Sequence, residues 1–142
     1  MRTSGLATTA AVVLLLTACT NDLVCTAIGE APTISVNVSR ILDAEKGPVT
    51  VRTCVGTTCG TITKDNPRRL DAVFLDLPSA DGPDPVVVDI RIDGRGETIY
   101  EAAEAVRLVR RQPNGPDCGP TYWAAQLEAT REGLSQTDAA PS

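Results

Sequence analysis

The sequence predicts an all-β fold, an antiparallel β-sandwich of seven or eight short strands in two packed sheets. Three observations carry that expectation. Apolar and polar residues alternate at Ile34, Val36 and Val38, and again at Val86, Val88, Ile90 and Ile92. This is the period of two that turns one strand face to a core and the other to water. Turn-forming clusters at 78–85 and 93–96 separate the apolar runs, at spacings near those of a sandwich. Gly56-Thr57 lies between two strand-like runs, so that Cys54 faces Cys59 across a two-residue turn.

Taken from its start, the chain opens with Arg2 and an apolar run that ends in Leu16-Thr17-Ala18-Cys19. One positive charge, a short apolar middle and small residues at its end are the layout of a secretory signal. The run is shorter than the roughly 20 residues a spanning helix needs. Its last four residues resemble the lipobox of bacterial lipoproteins. The resemblance implies that residues 1–18 are a signal peptide and that the Cys19 thiol carries a diacylglyceryl group, which anchors the chain to the outer face of the cell membrane. Two acyl chains hold stably, since each buried methylene contributes about 0.8 kcal/mol. Residues 19–22 then form a lipid-anchored spacer, 23–131 the sandwich, and 132–142 a small, polar, disordered tail.

Within the sandwich, 23–28 reads as a first strand and 33–40 as the cleanest one. Residues 43–48 are polar and turn-forming. Runs 49–54 and 58–63 form the hairpin, and glycine at the first central position of its turn suits type II′. After a connector at 64–69, residues 70–77 form a strand with Val73, Leu75 and Leu77 on one face. The proline-rich loop 78–85 follows, then the alternating strand beginning at Val86. Residues 97–111 are ambiguous: Glu101 to Arg107 has helical propensity, while Thr98, Ile99 and Tyr100 start it as a strand. It is read as strand because every neighbour is one and context overrides propensity. A Pro/Gly loop at 112–120 leads to a last strand, 122–130, with Trp123, Ala125, Leu127 and Ala129 on one face. Aromatics make up 3% of the chain, so Val, Ile and Leu must carry the core.

Composition excludes several functions. The formal charge of −5 becomes −6 once Arg2 leaves with the signal, and an acidic chain without a basic run repels nucleic acid. With no histidine, Ser-His and Cys-His nucleophiles and histidine metal sites are ruled out. Asp81 and Asp84, or Asp89 and Asp93, offer oxygen ligands, but no spacing resembles a calcium loop, and they read as solvated carboxylates. The same scarcity weakens a carboxylate-pair hydrolase. No catalytic residue, metal site or cofactor is therefore expected. Arg107, Arg110 and Arg111, the one basic cluster, read as a solvated face balanced by Glu101 and Glu104. Beyond Cys19, four cysteines remain: Cys25, Cys54, Cys59 and Cys118. In an exported chain an even number favours two disulfides, with three pairings open. Facing residues of a hairpin lie inside the disulfide window, which singles out Cys54–Cys59.

Lipobox, early Cys25, the Cys54/Cys59 hairpin and the run Pro113-Asn114-Gly115-Pro116-Asp117-Cys118 together resemble small lipoproteins of high-GC Gram-positive bacteria. That resemblance implies an immunoglobulin-like or carboxypeptidase-regulatory-like sandwich, and the early and late cysteines then suggest a Cys25–Cys118 bond. The function expected is a non-catalytic binding module tethered through Cys19, with an envelope protein or cell-wall partner. The alternative is an envelope enzyme accessory or a carboxylate-dependent hydrolase. If strands alternate up and down from the anchor, the turns at 29–32, 56–57, 78–85 and 112–120 share the membrane-distal end. Asp81, Asp84, Asn114 and Tyr122 are then the expected partner contacts, because stiff loops lose little entropy on binding.

Overall fold

The computed structural model describes residues 31–77, 84–115, 117–118 and 121–138. These residues form an all-β sandwich of two packed sheets, as expected, and the strand expected at 23–28 lies outside them. Strand β1 (Thr33–Asn37) buries Ile34 and Val36 completely. The expected strand continued to Arg40, yet it stops at Asn37. The Asn37 side chain accepts hydrogen bonds from the Ser39 N–H (3.1 Å) and hydroxyl (2.7 Å), which diverts the backbone into a one-turn helix, α1 (Ser39–Leu42). Continued alternation would have driven Arg40 into the core. The turn instead buries Leu42 and leaves Arg40 to pair with Glu128 at 2.8 Å.

Strands β2 (Val49–Val55) and β3 (Thr58–Lys64) pair in the expected register, with Cys54 opposite Cys59 and Val55 opposite Thr58. Gly56 has φ of 58°, the positive value that the first central residue of a type II′ turn requires. The Cys54–Cys59 disulfide is present, with Cα atoms 4.1 Å apart. A 3-10 turn at Pro67–Arg69 leads to β4 (Ala72–Asp76), which buries Val73 and Leu75, with Leu77 buried just beyond it. A Cβ on Gly60 would stand 3.2 Å from Leu75 Cδ1, so a larger residue there would have to displace that side chain by a few tenths of an ångström.

Strand β5 (Pro85–Gly94) buries Val88, Ile90 and Ile92 and turns through Arg95-Gly96 into β6 (Glu97–Arg107). The ambiguous stretch is therefore strand. A bulge opposite Ile92/Asp93 lets Ile99 and Tyr100, adjacent in sequence, both pack on the core. Buried Leu108 carries the chain across to the other sheet, where it continues as β7 (Val109–Arg111). Strand β8 (Tyr122–Thr130) follows, burying Ala125, Leu127 and Ala129.

One sheet has the order β3-β2-β5-β6. The other runs β4-β1-β8-β7, with a further strand, β9 (Gly133–Gln136), also paired to β8. Two details differ from expectation. The β1–β8 ladder is parallel, because alternation fixes which residues face inward and leaves strand direction open. The tail expected to be disordered from 132 onward includes β9, whose Leu134 is buried, so the sandwich extends past residue 131. The Gln136 side chain accepts from the Arg107 N–H (3.1 Å) and donates to the Arg107 carbonyl (2.7 Å). It thereby stands in for one residue of a β-ladder and ties β9 to the end of β6.

Candidate interaction surface

Strand directions bring the expected loops to one end of the sandwich. β1 starts there at Thr33, and antiparallel β4 returns to Asp76 beside it. The Leu77 N–H donates to the Pro32 carbonyl at 2.8 Å. Parallel β8 starts at the same end, where Tyr122 faces Arg111 of β7. In the second sheet Pro85 pairs with Arg107, and Val55 with Val88. The hairpin tip, the start of β5 and the end of β6 thus lie together, and Leu108 joins them to the first sheet. The opposite end carries α1, the Pro67–Arg69 turn and the turns at 95–96 and 131–132.

Of the four expected contacts, Asp84 is exposed at the start of β5, while Asn114 and Tyr122 are half-buried at the same end. Asp81 lies outside the described residues. The 112–118 loop folds back through two turns, with the Gly115 N–H on the Gln112 carbonyl and the Cys118 N–H on the Gly115 carbonyl (3.1 and 3.2 Å). This leaves Cys118 only 3% exposed. Cys118 is disulfide-bonded, and Cys25, its expected partner, lies outside the described residues.

The five-stranded sheet presents a surface that the loops do not account for. Its inward positions are apolar, and its outward positions are mostly small or polar: Thr33, Ser35 and Asn37 on β1, Gln126 and Glu128 on β8. Among them stands Phe74 of β4, directly opposite Ser35 and 70% exposed. A shallow depression of about 350 Å³ runs from Phe74 past Ser35 and Gln126 to Tyr122 and Arg111. A second, of about 490 Å³, runs from Phe74 past Asn37 to Glu128 and Thr137. Phe74 is the residue the sequence reading passed over. Once Val73 and Leu75 face inward, period two turns Phe74 outward, and an aromatic on the wet face was the signal. Trp123, by contrast, packs half-buried against the core.

Several charged groups are engaged in structure. Arg111 pairs with Asp138, whose side chain is 7% exposed, so this member of the basic cluster is balanced by the tail rather than by Glu101 or Glu104. Glu101 lies opposite Arg91 across β5 and β6. Asp93 is held below the usual carboxylate range by the Thr98 hydroxyl at 2.8 Å and by Arg91 at 2.9 Å. Among the described residues no group of three or more acidic, cysteine or histidine side chains is placed to hold a metal ion. None of their helices is long and apolar enough to cross a membrane. Compared with known proteins, the chain matches no family model, no curated protein and no solved structure.

Proposed function

We propose that the chain is a lipoprotein on the outer face of the cell membrane, acylated at Cys19, and that its sandwich is a non-catalytic module that engages a partner in the envelope. The observation that carries the interaction is Phe74, a large apolar side chain 70% exposed on a flat strand face between two depressions. Aromatic side chains on such faces supply contact area at low entropic cost and dominate the energetics of interfaces. The Leu16-Thr17-Ala18-Cys19 sequence closing a short apolar run supports the anchor.

The test has two arms. Mass spectrometry of the membrane fraction should find a diacylglyceryl-modified Cys19, and Cys19→Ala should leave an unprocessed precursor. Capture from detergent-solubilised envelope should weaken by tenfold or more for Phe74→Ser, the order of an interface anchor worth about 1.4 kcal/mol or more. The variant should keep its urea midpoint, because Phe74 is exposed. Equal capture by the folded variant would remove Phe74 from the contact surface. An unmodified Cys19 would remove the anchor.

A further inference from the structure

We infer that the loop end of the sandwich is turned toward the membrane, which makes the hairpin tip and the 112–118 loop the surface that meets the lipid headgroups. The inference rests on the acylation of Cys19 proposed above. The chain has five cysteines. Cys54 and Cys59 are bonded to each other, and Cys118 is also disulfide-bonded. The sulfur joined to Cys118 therefore belongs to Cys19 or Cys25, and a thioether at Cys19 leaves Cys25. Cys25 is six positions after Cys19, a span that fully extended reaches at most about 20 Å. The sandwich is longer than that. Strand β6 has eleven residues and spans roughly 35 Å at about 3.3 Å per residue. An acylated Cys19 leashed to Cys118 falls short of the far end, where Arg95 and Glu132 lie. The point where the described chain enters agrees, because Ala31 and Pro32 precede β1 at this same end.

This replaces the membrane-distal position that counting strands up and down from the anchor suggests. Charge does not set the orientation. Near the loop end Asp76, Asp84 and Asp117 stand against Arg107 and Arg110, while Arg111 is already paired with Asp138. An anionic surface gains little from that mixture, so the leash alone decides. Orientation should accordingly be the same on neutral and anionic lipid, unlike that of a basic patch.

The experiment places a fluorophore on an introduced cysteine of the full acylated protein, labelled without reductant. One label is at the loop end, Thr57→Cys or Asp84→Cys. The other is at the far end, Arg95→Cys or Glu132→Cys. The protein is floated on vesicles of phosphatidylcholine, with or without phosphatidylglycerol, that carry a quencher on the headgroup. Several-fold stronger quenching at the loop-end positions on both lipids is expected. Equal quenching, or stronger quenching at Arg95 and Glu132, in protein that floats overturns the orientation and leaves the lipoprotein reading standing. Protein that fails to float overturns both.

Discussion

Replacing Cys54 and Cys59 together by alanine removes a covalent ring without disturbing much else. Cys59 is exposed, and Cys54, only 9% exposed, is buried, so the buried surface lost is confined to the Cys54 sulfur. Arg52 gives up a contact of 3.4 Å to the Cys59 sulfur in solvent. The bond closes a loop with a sequence separation of 5, for which the loop-entropy relation gives about 2 kcal/mol. With a urea slope of about 1–3 kcal/mol/M for a small domain, the midpoint should fall by roughly 1 M. The single tryptophan, Trp123, lies in the other sheet and packs against the core, so its fluorescence reports cooperative unfolding rather than local fraying of the hairpin. The fold itself should survive, because Gly56 sets the turn and Val51 locks the register from the core side. An unchanged midpoint would refute the ring argument. Loss of cooperative unfolding would mean that the disulfide, and not the turn, sets the register.

Two further changes probe groups that sequence alone does not flag. The Tyr100 hydroxyl is buried without a hydrogen-bond partner among the described residues, and burial raises its pKa above 10.0. A raised value means that the fold favours the neutral form. That contribution is whole below the unfolded value near pH 10 and is lost as pH rises through the folded value. Tyr100→Phe should therefore match or exceed wild-type stability at pH 8 and exceed it clearly at pH 11, read from urea midpoints; a loss at pH 8 would show that the hydroxyl has a partner. Gln136→Ala removes both bonds to the Arg107 backbone and should cost about 1–3 kcal/mol, at roughly 0.5–1.5 kcal/mol per bond, with faster proteolysis of the tail. Unchanged stability and tail protection would show that β9 is held by β8 alone.

What the sequence shows well here is local. Alternation at Val86 to Ile92 places β5 and its buried face. Gly56-Thr57 gives the hairpin, its register and its disulfide, all within a dozen residues. Context also settles residues 97–111, because a helix there would have left the β5 edge unpaired. What the sequence hides depends on distant partners. β9 is four residues of weak strand character, and besides its short hairpin with β8 it is held by Arg107, which lies 29 residues from Gln136 and in no window around Gly133. The parallel β1–β8 ladder is silent for a related reason: Ile34 and Val36 would face inward in either direction. The stop at Asn37 was more accessible. Asn followed two residues later by Ser, with Leu42 beyond, is a side-chain-to-backbone pattern that competes with strand, and alternation running into Arg40 was the warning.

These features bear jointly on where a partner can act. With Cys19 acylated as proposed, the inferred leash to the loop end would stand the strands roughly upright on the membrane, with the sheet faces looking sideways and the end loops looking at lipid. Asp84 and Asn114, expected as contacts on a distal end, then sit where a protein or polymer approaching from outside meets headgroups first. Phe74 is three residues from Leu77 and so about 10 Å above that end, close to the surface and clear of it. Tyr122 lies lower on the same face, at the base of the depression that reaches Phe74. A partner reading this face must therefore lie alongside the sandwich near the membrane, as a neighbouring anchored protein does, rather than cap it from above. Shortening the leash should leave such an interaction intact. Lengthening it should weaken the interaction, because local concentration near the membrane falls as the reach of the tether grows. An insertion of ten Gly/Ser residues after Asp22, compared with wild type in cross-linking from position 74 in whole cells, separates the two geometries. Reduced cross-linking is expected for the sideways contact, and increased cross-linking would show that the partner waits farther out.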